Sequence, residues 1–151
     1  MIMDFHLDSL LNLPQVTVFT CQQQEGFIIL KLELLNPGIN CPHCQTYTDN
    51  LHQTRPILVR DLPICGQGVY LHIPRRQWIC PHCGKYPTEA LEFVEKRRNY
   101  TKRYEDYIYE QVKELTVEQV SQREQLSPQK VQNIFHRIAS SQKKIGGNPQ
   151  D

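Results

Sequence analysis

Cys41-Pro42-His43-Cys44 and Cys80-Pro81-His82-Cys83 are one tetrapeptide written twice, with 35 residues between the copies. A Cys-x-x-C turn presents two thiolates from a single tight bend, and two such turns complete a tetrahedron of soft ligands. Proline after the first cysteine of each pair, and Gly84 after the last, suit the knuckle turn whose backbone amides reach the sulfurs. The spacing therefore predicts one structural Zn2+ held by Cys41, Cys44, Cys80 and Cys83, with no open coordination position for catalysis. Iron in a rubredoxin-like site would use the same four ligands, and spacing does not separate the two metals. His43 and His82 lie inside the knuckles and read as exposed turn residues, because four cysteines already fill the site. Cys21 and Cys65 fall outside the pairs and read as plain small residues.

Outward from the knuckles the chain reads as strands. Val16-Thr17-Val18-Phe19-Thr20 and Phe27 to Leu34 flank Gly26 and predict a hairpin, closed by the turn signal Asn36-Pro37-Gly38. Between the cysteine pairs, Ile57-Leu58-Val59 and Val69 to Ile73 predict two more strands, connected through Leu62-Pro63 and Gly66-Gln67-Gly68. Gln77-Trp78-Ile79 predicts a further strand entering the second knuckle. Before all of these, Leu7, Leu10, Leu11 and Leu13 have helical spacing and stop at Pro14.

Composition limits the function classes. A chain of 151 residues, 39% hydrophobic and 22% charged, suits one medium domain or two small ones. No apolar run approaches the roughly 18 residues of a membrane helix. Asp4 and Asp8 precede any basic residue and no small-residue cleavage site follows, so the expected compartment is the cytoplasm, where a disulfide reading of the cysteines is disfavoured. A redox dithiol would need one pair at a helix start, whereas this chain has two matched pairs. The formal charge is +1. Four thiolates and one Zn2+ add −4 + 2 = −2, leaving about −1, so any affinity for nucleic acid must come from how charge is distributed.

The composition changes after Phe93. Lys96-Arg97-Arg98 and Lys102-Arg103 form a basic cluster interleaved with Tyr100 and Tyr104. Tyr104, Tyr107, Ile108, Val112 and Leu115 then recur at helical steps. A second helix starts at the N-cap Thr116, and a third at Ser127-Pro128 with the stripe Val131, Ile134, Phe135 and Ile138. Residues 116–135 have the layout of a helix-turn-helix. Val120 and Val131 would join the helices, Ser121 would sit at their closest approach, and Leu126 would plug the turn. The third helix then points Gln129, Lys130, Gln132, Asn133, His136 and Arg137 outward. Gln and Asn can pair bidentately with adenine, while Ser127, Lys130 and the basic residues Arg97, Arg98, Lys102 and Arg103 suit phosphates. Two positions depart from the usual motif: Gln125 stands where glycine makes the turn, and Glu124 stands where an apolar residue packs. Glu124 must snorkel, find a partner or weaken the motif. At an inward site, Glu124→Leu is expected to stabilise the helices by about 1 kcal/mol or more.

The order of these features resembles the N-terminal part of the ISL-three family of bacterial insertion-sequence transposases. It rests on a cysteine pair, then Arg60-Asp61-Leu62-Pro63, then Arg75-Arg76-Gln77-Trp78-Ile79 leading into Cys80, then Thr88-Glu89, then the helix-turn-helix. The likeness covers roughly residues 5–140. It implies Cys41, Cys44, Cys80 and Cys83 as zinc ligands, the helix after Ser127 as the DNA reader, and the terminal inverted repeat as the double-stranded DNA target. Partners would be that DNA, a homodimer or a full-length transposase, in a bacterial cytoplasm, with no membrane and no small-molecule substrate. The family's DDE nuclease domain would follow where this sequence stops, so the chain is expected not to be an enzyme by itself.

The expected fold is α+β: a β-rich zinc-ribbon-like module over 1–95, a three-helix helix-turn-helix module over 96–145, and a disordered tail over 146–151. The competing functions are a protein-interaction zinc ribbon, a transcriptional regulator derived from a transposase, and a rubredoxin-like redox protein.

Overall fold

The computed structural model describes residues 5–145. Its architecture is α+β, with a β-rich first part and a helical last part. The expected tail over 146–151 lies outside the described residues. Helix α1 (Phe5–Leu11) leads into a hairpin of β1 (Val16–Gln24) and β2 (Phe27–Leu34). Short strands β3 (Ile39–Asn40) and β4 (Tyr47–Thr48) flank the first knuckle. Two long strands, β5 (Asn50–Ile64) and β6 (Gln67–Ile79), form a second hairpin. The four-stranded sheet has the order β1-β2-β6-β5, with β2 and β6 parallel and the other pairs antiparallel.

Both hairpins close through a two-residue loop with left-handed φ at each position: Glu25 and Gly26 at 41° and 87°, Cys65 and Gly66 at 49° and 77°. That is type I′ geometry, whose twist matches the flanking strands. Cys65 is thus the first turn residue of β5–β6. The expected connection over Leu62 to Gly68 is shorter than the sequence suggested, because pairing continues to Ile64 and Gln67. Pro63 falls where the register shifts between Asp61 and Ile64, a place that tolerates a missing N–H.

The separate strands expected at 57–59, 69–73 and 77–79 are likewise parts of two continuous ones. Pro56 and Pro74 look like breakers but face each other in register. The pairing of β2 with β6 ends at His72, so Pro74 falls where β6 has lost that neighbour, and further on β5 and β6 form a ribbon whose β6 edge is taken up by residues 87–89. This ribbon carries the sheet out to the cysteine pairs.

Alternation decides the first core. Ile28, Leu30 and Leu32 on β2, and Val69, Leu71 and Ile73 on β6, point to one face with Val16, Val18 and Val59. Leu11 and Phe93 close over them. Helix α1 is fastened by Asp8, whose carboxylate accepts from the Val18 amide and the Thr17 hydroxyl, each at 2.7 Å. Leu10, grouped with the apolar residues of this helix, points to solvent instead.

A second core unites α2 (Lys102–Glu114), α3 (Val117–Glu124) and α4 (Pro128–Ile145). Tyr104, Ile108, Val120, Val131, Ile134 and Ile138 fill it, and Leu62 of β5 packs against it. Thr116 caps α3 in a full capping box with Gln119. Gln125 ends α3 in the left-handed conformation at φ 56°, so it takes the turn position without being glycine. The Ser127 hydroxyl accepts from the Lys130 amide at 3.2 Å and opens α4.

The two cores meet along β5. Residues 99–101 run beside it, with the Arg60 amide bonded to the Asn99 carbonyl and the Thr101 amide to the Arg60 carbonyl, both at 2.9 Å. Asp61 is buried there and accepts from Thr101, the N-cap of α2, and from Arg103.

Candidate metal centre and nucleic-acid interface

The two knuckles are built alike. In the first, the Cys41 amide bonds to the Thr46 carbonyl at 2.9 Å and the Gln45 amide to the Cys41 carbonyl at 2.8 Å. In the second, Cys80 with Lys85 and Gly84 with Cys80 repeat both bonds at 2.9 and 2.8 Å. Gln45 and Gly84 both take left-handed φ, at 66° and 74°. The first knuckle therefore completes its turn with a strained non-glycine residue.

These turns bring four sulfurs together. Cys41 Sγ lies 3.7 Å from Cys83 Sγ, Cys44 Sγ lies 3.5 Å from Cys80 Sγ, and all four fall within 4.8 Å of one another. A tetrahedron with metal–sulfur bonds of about 2.3 Å has edges of about 3.8 Å, whereas a disulfide would be about 2.0 Å. The spacing fits one metal ion and no disulfide. Cys41 and Cys80 are fully buried, Cys44 and Cys83 half-buried, and His43 and His82 exposed.

Hydrogen bonds from the Thr46 side chain and backbone pull the Cys44 thiol down to about 5. The Lys85 backbone bond favours a thiolate at Cys83 too, but burial and the sulfurs of Cys80, Cys41 and Cys44 push that thiol up to about 11. Crowded sulfurs thus resist ionising together, and a dication at their centre allows all four to be thiolates.

In the helical part, Gln129, Lys130, Gln132, Asn133 and His136 are exposed along α4, with Gln129 donating to Asn133 at 2.9 Å. Arg137 is half-buried and ion-pairs with Glu105, itself fully buried on α2. Arg98 binds the same carboxylate at 2.8 and 3.1 Å, and Arg103 grips Asp61 at 2.6 and 2.9 Å. Arg97 and Lys102 are exposed, and Lys102 lies 4.0 Å from Glu95.

Residues 37–87 match the zinc-finger of transposase IS204/IS1001/IS1096/IS1165, and residues 89–139 match the helix-turn-helix domain of transposase family ISL3. The chain belongs to the ISL3 transposase family. A curated relative, the transposase for insertion sequence element IS1001 of Bordetella parapertussis, is 36% identical over 63 residues, which are 42% of this chain and 16% of that protein. No solved structure matches.

The ISL3 zinc finger contains the four cysteines, so the ion they are placed to hold is zinc. Among the described residues they are the one group of three or more side chains that could hold a metal. No helix among these residues is long and apolar enough to cross a membrane.

Other roles in this ISL3 chain were hidden in the sequence. Two of the five residues of the basic cluster carry an internal load, since Arg98 and Arg103 neutralise carboxylates that are fixed only in three dimensions. Glu124, the odd acid of the turn, is 6% exposed and has found partners: Arg60, Tyr104 and Tyr107 all donate to its carboxylate. The expectation that Glu124→Leu would stabilise is therefore reversed, because a buried guanidinium would lose its counter-charge. The inward register of Glu124 stands. Its partner lies 64 residues away, beyond any helical pattern.

Proposed function

We propose that this segment recognises double-stranded DNA for an ISL3-family transposase, with the terminal inverted repeat of the element as its specific target. In this reading α2, α3 and α4 act as a three-helix helix-turn-helix unit over 96–145, and residues 1–95 act as the zinc module beside it. The observation that carries the reading is the exposed row Gln129, Lys130, Gln132, Asn133 and His136 on α4, opposite the buried stripe Val131, Ile134 and Ile138.

An α-helix fits the major groove, and Gln132 and Asn133 have the donor and acceptor pair that adenine presents there. Arg97 and Lys102 supply exposed charge for backbone phosphates. Zinc acts as a structural ion: four thiolates close its coordination shell, so the metal holds the β-ribbon and leaves no position for a reacting water. Binding without cutting is the activity assigned to these residues. Selection of bound sequences from a random duplex pool by the zinc-loaded protein tests the assignment. Enrichment of one motif is expected, and absence of any DNA binding at low salt would overturn it.

A further inference from the structure

Three cavities adjoin along the edge strand β5. The first, about 330 Å3, opens between β5 and the start of α4 and is lined by Ile57, Asn99, Tyr100 and Lys130. The second, about 220 Å3, shares Ile57 and adds Gln53, Arg55, Arg75 and Thr88. The third, about 490 Å3, shares Arg75 and Thr88 and extends to Lys96, Tyr86 and His43 of the first knuckle. Neighbouring cavities share these residues, so the three follow one another around the edge of β5 from the helical part to the metal end.

The charge along this path is one-sided. Sixteen acidic residues occur in the chain, yet none lines any of the three cavities. Arg55 and Arg75 are direct partners in the β5–β6 register, so their side chains leave the same face side by side. Like charges directly opposite each other destabilise a sheet unless an anion lies between them. Nearby Arg76 differs, since Glu89 neutralises it at 2.9 Å through both its Nε and Nη2. Arg75 gives Nε to the Glu89 carbonyl, not to a carboxylate. Arg55 and Lys96 are exposed, and neither pairs with a carboxylate among the described residues.

We infer that this path is a second DNA-contact surface: the phosphate backbone of the duplex engaged by α4 continues along β5, past Lys130, Arg55 and Arg75, to Lys96 and His43. The inference rests on the DNA-binding reading above and names where the zinc module would touch the duplex. The ligand chemistry is a row of phosphates. The surface offers a line of cations and the small donors Gln53 and Thr88, an arrangement that orients a backbone without reading bases. It also gives the metal a purpose in binding, because the ribbon that presents Arg55 and Arg75 is anchored at the knuckles.

The test uses the full zinc-loaded chain and a labelled mixed-sequence duplex, comparing wild type with Arg55→Gln and with Arg55→Gln/Lys96→Gln. Both side chains are exposed, so zinc content should not move, and the unfolding midpoint should not fall and should rise slightly as the Arg55–Arg75 repulsion is relieved. Affinity should fall several-fold, and the slope of log affinity against log salt should shrink by about 0.9 for each lost phosphate contact. Phosphate-ethylation interference on the wild type should mark a tract outside the groove occupied by α4, and the double variant should erase it. Wild-type affinity and slope in the double variant, with no such tract, would place the path off the DNA while leaving recognition by α4 intact. Failure of the wild type to bind duplex at all would overturn both readings.

Discussion

Arg60 of β5 and Glu124 of α3 form a buried ion pair between the sheet and the helices, with Nη2 3.4 Å from the carboxylate and 3.0 Å from the Glu124 carbonyl. Both are almost fully buried, at 4% and 6% exposure. The guanidinium also lies against the rings of Phe27, Tyr70 and Tyr104, at 5.7, 5.4 and 5.1 Å. Its Nε and Nη1 find no hydrogen-bond acceptor among the described residues, so these ring faces and the carboxylate and carbonyl of Glu124 carry the charge.

Glu124→Leu should destabilise the protein by about 3 kcal/mol or more, since it strands the buried Arg60 charge. Glu124→Gln should cost less, because the amide oxygen still accepts from a tyrosine hydroxyl. Urea unfolding curves of the two variants check this order. Equal stability of Glu124→Leu and wild type would show that Arg60 leaves the pocket without cost.

Alkali should loosen the same junction. Burial, and beyond it the Glu124 charge, hold the Tyr104 phenol well above its ordinary value, and Tyr107 shifts in the same direction. A folded-state value above the unfolded one means that the stability is complete below about pH 10 and declines as pH rises beyond it. The decline approaches 1.4 kcal/mol per pH unit for each such group. Tyr104→Phe should flatten it. Unfolding midpoints between pH 8 and 11 measure the slope directly.

Zinc removal should unfold the ribbon end. The purified protein is expected to carry about one zinc per chain, and Cys41→Ser or Cys80→Ser should abolish both the metal and the local fold, because metal binding there is folding free energy. Elemental analysis together with circular dichroism decides it. Soluble, folded, metal-free protein would refute the prediction, and a red iron chromophore would reassign the ion.

Basic and amide residues should separate by how they fail. Arg97→Ala should weaken binding to every duplex alike and lower the salt slope by about one unit. Gln132→Ala or Asn133→Ala should relax selectivity at one or two base pairs, at a cost of about 1–3 kcal/mol on the best site. Arg98→Ala should additionally lower stability, since Glu105 would keep only Arg137. Binding and melting measured on the same preparations distinguish phosphate contacts from internal braces.

What could be read in the sequence was local. Both knuckles follow from a four-residue spacing, and the start of α3 follows from Thr116 and Gln119 three positions apart. The inward stripe of α4 follows from its period. Pairings between distant segments were not legible. Nothing in Ile28 or Val69 announces that β2 and β6 lie parallel, and Pro56 and Pro74 disguised one long hairpin as fragments. The site was divided in the same way. The thiolates were visible as a motif, whereas Arg98, Arg103 and Arg137 looked like free charge until Glu105 and Asp61 were seen beneath them. Arg55 carried no signal, because its meaning comes from Arg75 across the ribbon.

The position of Trp78 makes the two ends of the molecule separately observable. It is the only tryptophan in the chain, buried on β6 two residues before Cys80, with the Arg76 guanidinium 4.8 Å from its ring. Its amide bonds to the Pro87 carbonyl, so the segment returning from the second knuckle is fastened to it. The tyrosines Tyr100, Tyr104, Tyr107 and Tyr109 gather instead at the helices. Indole emission should therefore follow the metal end alone, while helical ellipticity follows the other. A chelator titration watched by both signals will show whether Arg60 and Glu124 transmit the loss of the ion or absorb it.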